Sequence, residues 1–262
     1  MHFPKALAAV TLSTMGLLVH SGYATAQSNP PTSVTTGVPG MPPVVDRNNL
    51  YSETAAGHLS PAVSGALNRI YVPNRSENTV SVIDPSTMKV VDTFKVGVYP
   101  QHIVPSWDLQ TLWVANNAEG RTDGSLTPIN PITGKPGPSI PVDDPYNLYW
   151  SPDGRYAIVV AEALKRLDFR DPHSMKLEFS IKTPACDGIN HADFSMDGRY
   201  AIFTCEFGGA ITKIDLAARQ VVETVQLRAN FSQPESSKAK KGMPQDIRIS
   251  PDGKTLFIAD MT

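Results

Sequence analysis

The sequence predicts an all-β chain, a β-propeller of four-stranded blades. Three observations carry this. A Ser-x-Asp turn returns four times, at Ser106-Trp107-Asp108-Leu109, Ser151-Pro152-Asp153-Gly154, Ser195-Met196-Asp197-Gly198 and Ser250-Pro251-Asp252-Gly253. The Ser-to-Ser spacings are 45, 44 and 55 residues, close to the period of about 40–45 residues expected of blade repeats. The same kinds of short strand-like segment recur in every period, with almost no helical periodicity.

Each period reads in the same order. An apolar strand comes first after the turn: Ile70 to Asn74, Leu112 to Asn116, Ala157 to Glu162, Ala201 to Glu206 and Leu256 to Asp260. These are short and rich in β-branched or aromatic residues, as buried strands are. An alternating strand follows and ends in an acid or amide: Val80 to Asp84, Leu126 to Asn130, Leu167 to Asp171 and Ile211 to Asp215. Pro85, Pro131 and Pro172 follow three of these ends, which fits a tight turn. A third strand is clearest at Val90 to Val96 and Val221 to Val225. A last strand, such as Gln101 to Pro105 or Asp246 to Ile249, runs into the next turn. Four strands per period, radially repeated, make a propeller blade.

Tyr71-Val72-Pro73-Asn74 followed by Asn78-Thr79-Val80-Ser81-Val82-Ile83-Asp84 resembles the YVTN-type β-propeller repeat of secreted proteins, a WD-like repeat. Trp113-Val114-Ala115-Asn116, Ile258-Ala259-Asp260 and the Ser-Pro-Asp-Gly turns are further copies, so the resemblance covers nearly all of Ile70 to Thr262. It departs at Trp107-Asp108-Leu109, which lacks the Gly, and at Glu162, where an Asn is the pattern. The resemblance implies about seven blades, whereas about 4.5 repeats are present, so the sequence is read as a fragment or truncated product.

The ends divide the chain further. Residues 1–26 read as a signal peptide: a weakly basic start, the apolar run Ala6 to Val19, and Ala24-Thr25-Ala26 as the cleavage signal. Export to the periplasm or beyond, after cleavage near Ala26, follows. Residues 27–69 read as a Pro/Ser/Thr-rich leader, flexible or polyproline-like over 28–46, and 70–262 as the propeller. The formal net charge is −2 with both signs interspersed, which argues against a nucleic-acid surface. The basic cluster Lys238-Ala239-Lys240-Lys241 reads as a solvated loop. No second apolar run predicts a membrane span. Cys186 and Cys205, 19 residues apart in one repeat, suggest a disulfide in an exported chain. No Cys-x-x-Cys-His occurs, so covalent c-type haem is not expected.

Candidate chemistry follows from the repeat. Four residues before each turn Ser stand His102, Asn147, His191 and Asp246. At the end of each following strand stand Asn116, Glu162, Glu206 and Asp260, with Asn74 from the first repeat. Hairpin geometry sends all of them to the face opposite the turns, as a polar rim at one channel mouth. Imidazoles and carboxylates there suit a polar ligand, a protein partner or a divalent metal, with His102, His191 and Glu206 as metal candidates. The structural alternative is that these side chains hydrogen-bond the crossing loops, one device copied in each repeat. Tyr146, Tyr149, Trp150 and Trp107 read as core, the turn Asp residues as binders of their own backbone, His173 as solvated, and Arg166, Asp168 and Arg170 as a solvated strand face. No nucleophile motif or phosphate loop is present.

Three functions fit. The first is a non-catalytic exported binding or scaffold propeller, a reading that rests largely on fold. A second is a redox accessory protein: the repeats resemble, more distantly, the haem-carrying propeller of periplasmic nitrite reductases, which implies a haem contact at His102 or His191. A third is a lactonase-like hydrolase, in which Glu162, Glu206, Asn147 and Asp260 would hold a water-activating metal.

Overall fold

The computed structural model describes residues 38–227 and 242–261. The expected signal peptide, the start of the leader and the Lys238–Lys241 cluster lie outside the described residues.

Among the described residues five antiparallel sheets follow one another, and strand order within each follows chain order. The first holds β1 (Ile70–Asn74), β2 (Thr79–Asp84) and β3 (Lys89–Lys95). The second holds β4 (Pro100–Pro105), β5 (Leu112–Asn116), β6 (Ser125–Ile129) and β7 (Ile140–Pro141). The third holds β8 (Pro145–Trp150), β9 (Ala157–Ala161), β10 (Arg166–Arg170) and β11 (Leu177–Lys182). The fourth holds β12 (Ile189–Phe194), β13 (Tyr200–Cys205), β14 (Ala210–Asp215) and β15 (Gln220–Gln226). The fifth pairs β16 (Pro244–Ile249) with β17 (Leu256–Asp260). The inner strands β4, β8, β12 and β16 pack against one another in succession. This is the all-β propeller arrangement that the period predicts.

The core lies between blades, because each strand sends alternate side chains to opposite faces. In β9, Ile158 and Val160 pack toward the fourth sheet with Phe203 and Ile189, while Ala157 and Val159 pack toward the second with Trp113 and Leu126. In β5, Trp113 and Ala115 face the third sheet, whereas Val114 joins Val80 and Ile129 against the first. Both faces of a blade are therefore buried, and short apolar strands suffice.

The four turns share one hydrogen-bond set. Each Ser hydroxyl donates to the Asp carboxylate two residues on, at 2.5–2.6 Å. It also accepts the backbone N–H of Thr111, Tyr156, Tyr200 or Thr255 at 2.9–3.0 Å. The fourth turn residue needs positive φ: Gly154, Gly198 and Gly253 sit at +71°, +70° and +70°, and Leu109 at +62°. A left-handed Leu costs roughly 1–2 kcal/mol. Leu109→Gly is therefore expected to stabilise the chain by about 0.5–1 kcal/mol, net of lost contacts and the looser unfolded chain. Urea denaturation checks this; a fall in the midpoint would contradict it.

Two expectations are corrected here. The described part of the leader is tied to the turn face of the blades, not free. Val38 N–H donates to Asp197 O, Leu50 N–H to Pro251 O and Leu67 N–H to Pro131 O, and the Tyr51 hydroxyl donates to Ile249 O at 2.9 Å. Asp168 and Arg170 of the β10 trio are not solvated either, whereas Arg166 is partly exposed. Asp168 is fully buried and accepts from Arg166 Nε (2.8 Å), Ser180 Oγ (2.6 Å) and Arg170 Nη2 (3.4 Å). Alternating charges on a third strand read as a wet face only if that face meets water; between blades it does not.

Candidate functional site: the bulged channel mouth

Every inner strand begins with the same irregularity. In β4, Pro100 faces Asn116 and His102 faces Ala115, so Gln101 is an extra residue. In β8, Tyr146 is extra between Pro145 opposite Ala161 and Asn147 opposite Val160. In β12, Asn190 and His191 together fill the step between Ile189 opposite Cys205 and Ala192 opposite Phe203. In β16, Gln245 and Asp246 do so between Pro244 opposite Asp260 and Ile247 opposite Ile258. A β-bulge bends its strand and re-aims the side chains beside it.

The bulges bring His102, Tyr146 and His191 together. His102 Nδ1 donates to the Tyr146 carbonyl at 2.8 Å. The His102 ring centroid lies 5.0 Å from Tyr146 and 5.2 Å from His191, both edge to face. His191 Nδ1 lies 3.4 Å from Asn147 Nδ2 and from the Tyr149 hydroxyl. Burial lowers the pKa of His102. Burial and then the neighbouring His102 push His191 down to about 4. Both imidazoles are neutral at pH 7.

A carboxylate group adjoins the rings. Asn190 is fully buried, and its Nδ2 donates to Glu206 Oε2 at 2.6 Å. Burial and then the charge of Glu162 push the Tyr146 hydroxyl up to about 12. Burial, followed by repulsion from Glu206, Asp144 and Asp187, pushes Glu162 up to about 7. Burial pushes Asp144 up to about 6, although Leu164 N–H donates to it. Two buried acceptors here, Glu162 Oε1 and Asn190 Oδ1, have no hydrogen-bond partner.

The raised Glu162 pKa has a sign for stability. The folded state holds the proton more tightly than the unfolded chain, so stability falls as pH rises from about 4.5 to about 7 and stays lowered above. Glu162→Gln removes that loss. Glu162 is only partly buried as a whole, so after screening the variant is expected to gain about 1–2 kcal/mol at pH 8, with no gain at pH 4.5. Denaturant titrations at the two pH values check this.

The expected rim residues divide by register. Asn116 is not at the mouth: it is buried, and its Nδ2 donates to Ser125 O (3.1 Å) and Thr127 Oγ1 (3.0 Å) of its own blade. Asn74 does the same with Thr79 Oγ1 (3.0 Å) and Ser81 Oγ (2.8 Å). Pairing with the inner strand sets Asn116, Ala161, Cys205 and Asp260 as equivalents. Glu162 and Glu206 are therefore one residue further on, equivalent to Asn117, and one step reverses the face. Asp260 accepts from Met243 N–H at 2.9 Å. Asp246 is exposed and pairs with Arg248 at 2.9 Å. Among the described residues, no three His, Cys, Asp or Glu side chains are arranged to hold a metal ion. His102, His191 and Glu206 thus do not form the expected metal set, nor do Glu162, Glu206 and Asp260. Tyr146, Tyr149 and Asn190 are site residues that sequence reasoning missed. Their adjacency to Asn147 and His191 in the strand starts was the available signal.

Cys186 and Cys205, both fully buried, are joined as a disulfide with Cα atoms 4.9 Å apart. Beside it, Glu206 N–H donates to Gly188 O at 2.8 Å. The bridge and this bond hold Glu206 against the bulged start of β12.

No protein-family model matches this chain, and no curated protein sequence matches it significantly. Solved structures do. The hydrazine synthase of Kuenenia stuttgartiensis superposes with a TM-score of 0.59 at 24% identity, covering 75% of this chain and 53% of that one. A protein of unknown function from Desulfotomaculum acetoxidans gives 0.54 at 15% identity, covering 73% and 59%. The periplasmic gluconolactonase of Pseudomonas aeruginosa gives 0.55 at 19% identity, covering 70% and 57%. The chain thus spans between half and three-fifths of the length of these structures. At such identities the likeness supports the propeller fold and goes no further; the YVTN-type resemblance has no matching family model behind it. No helix among the described residues is long and apolar enough to cross a membrane.

Proposed function

We propose that this chain is an exported β-propeller that binds a small polar ligand at the bulged mouth of its channel. One observation carries the reading: the repeated bulge gathers His102, Tyr146, Asn147, Asn190 and His191 beside Glu162 and Glu206, with buried acceptors left unpaired. Buried polar atoms are nearly always satisfied, so unpaired ones beside these side chains mark where a ligand or water completes the set. Export rests on the signal-like segment 1–26. The test is NMR of histidine-labelled protein against a panel of small amines, polyols, carboxylates and lactones. A binder must shift the ring resonances of His102 and His191; binders that leave both unmoved, or a panel with no binder, reject the reading.

A hydrolytic reading of the same site has one specific support. Glu162, at about 7 with a free acceptor oxygen, has the properties of a general base for water attack on a lactone carbonyl. Ring opening of a sugar lactone should then slow by about 100-fold or more in Glu162→Gln; equal rates with and without protein exclude it.

A further inference from the structure

Resting on the mouth as the binding site, we propose that its ligand carries a protonated primary amine or a guanidinium group, received by Glu162, Glu206 and Asn190. Asn190 is 0% exposed, and its Nδ2 is fixed on Glu206, which turns Oδ1 away unpaired. Glu162 Oε1 is a second unpaired acceptor. With Glu162 ionised, none of the unpaired buried atoms on Glu162 and Asn190 is a donor. The missing partner therefore supplies several N–H or O–H groups and needs to supply no acceptor.

Charge narrows the class. Glu162 and Glu206 feel each other, and Asp144 and Asp187 add to the field at Glu162. The cations nearby are already engaged: Lys165 with Asp187 at 2.9 Å, Arg166 with Asp168 and Asp143, Arg75 with Glu119. Among the described residues neither Glu162 nor Glu206 forms an ion pair with a basic side chain. A carboxylate or phosphate ligand would add a buried like charge. A polyol would fill the acceptors and leave the charges uncompensated. An ammonium or guanidinium does both tasks, through charge-assisted hydrogen bonds. The imidazoles do not oppose it, being neutral at pH 7. A metal ion is disfavoured by the donor set, which lacks three converging ligands among the described residues.

The test is calorimetric titration of the full chain at low salt with n-butylammonium, n-butylguanidinium, erythritol and butyrate. The cations should bind with one-to-one stoichiometry, and butyrate and erythritol at least tenfold more weakly. Glu162→Gln and Glu206→Gln should each weaken cation binding about tenfold or more. Thermal melts confirm that the variants are folded. Circular dichroism of Glu162→Gln at pH 8 provides a variant that should be no less stable than the parent. Erythritol or butyrate binding as tightly as the cations overturns the ligand class. If that binder still shifts the His191 ring, the mouth reading survives alone. No heat from either cation, or cation affinity unchanged in both variants, also overturns the inference; the histidine panel then decides the mouth reading separately.

Discussion

Asp168→Ala is expected to destabilise the protein by about 3–5 kcal/mol, the cost of leaving a buried charge without its partner. Arg170 is 7% exposed, and its guanidinium keeps only the Met175 carbonyl, at 3.0 Å, once the carboxylate is gone. Arg166 loses a two-point contact at 2.8 and 3.1 Å and retains Asp143 at 3.0 Å, in a largely exposed pair. Asp123→Ala is the control. It removes the exposed partner of Arg121 and should leave the stability close to that of the parent. Replacing Arg166, Asp168 and Arg170 together by Met, Leu and Met should recover most of the loss, because no uncompensated charge then remains in the blade. Equal, small effects for Asp168→Ala and Asp123→Ala in urea titrations would mean that water reaches β10.

Removing the Cys186–Cys205 bridge is the second large effect. Closing a loop of this length, 19 residues in separation, restricts the unfolded chain by about 3 kcal/mol. For a chain of this size that is a melting point lower by about 6–12 °C. Cys186→Ala/Cys205→Ala should show it, and reductant added to the parent protein should reproduce it. The effect reaches function as well. The bridge and the Glu206–Gly188 backbone bond hold Glu206 beside Asn190, so the double variant should bind mouth ligands more weakly even below its melting point. A melting point indifferent to both reductant and substitution would contradict the account.

The fold was legible because its signal is redundant. Four copies of the Ser-x-Asp turn carry the same side-chain bonds, and even the Gly-less copy obeys, with Leu109 forced to φ +62°. Strand ends read from the sequence fall within one or two residues of those observed. The site was legible in half. The repeat geometry implied a grouping of His102, Asn147, His191, Glu162 and Glu206; His102, His191 and Asn147 lie in one chain of contacts, and Glu206 joins Asn190. Asn116 does not join them, because the choice between two neighbouring residues at a strand end is a choice of face, and sequence spacing alone does not make it. Ala161 and Cys205 occupy the Asn116 level, which puts Glu162 and Glu206 one step beyond. Tyr146 and Asn190 were missed for a different reason. A bulge is an event of backbone pairing between two strands, and the extra residue bears no chemical mark of its own. The trio on β10 failed because its pattern, Arg-Leu-Asp-Phe-Arg, is that of a half-wet strand, and only the packing of the next blade reveals that both faces are dry.

The central claim is that the bulges gather distant residues into one desolvated polar mouth. Carboxyl and imidazole NMR titration of the full chain, following Glu162 and His191 individually across pH, tests it most directly. The account predicts that Glu162 titrates near 7 and His191 near 4. It also predicts that Glu206→Gln lowers the Glu162 value, by removing the charge beside it. Titration of Glu162 near 4.5 and His191 near 6.5, the values of solvated side chains, would contradict it.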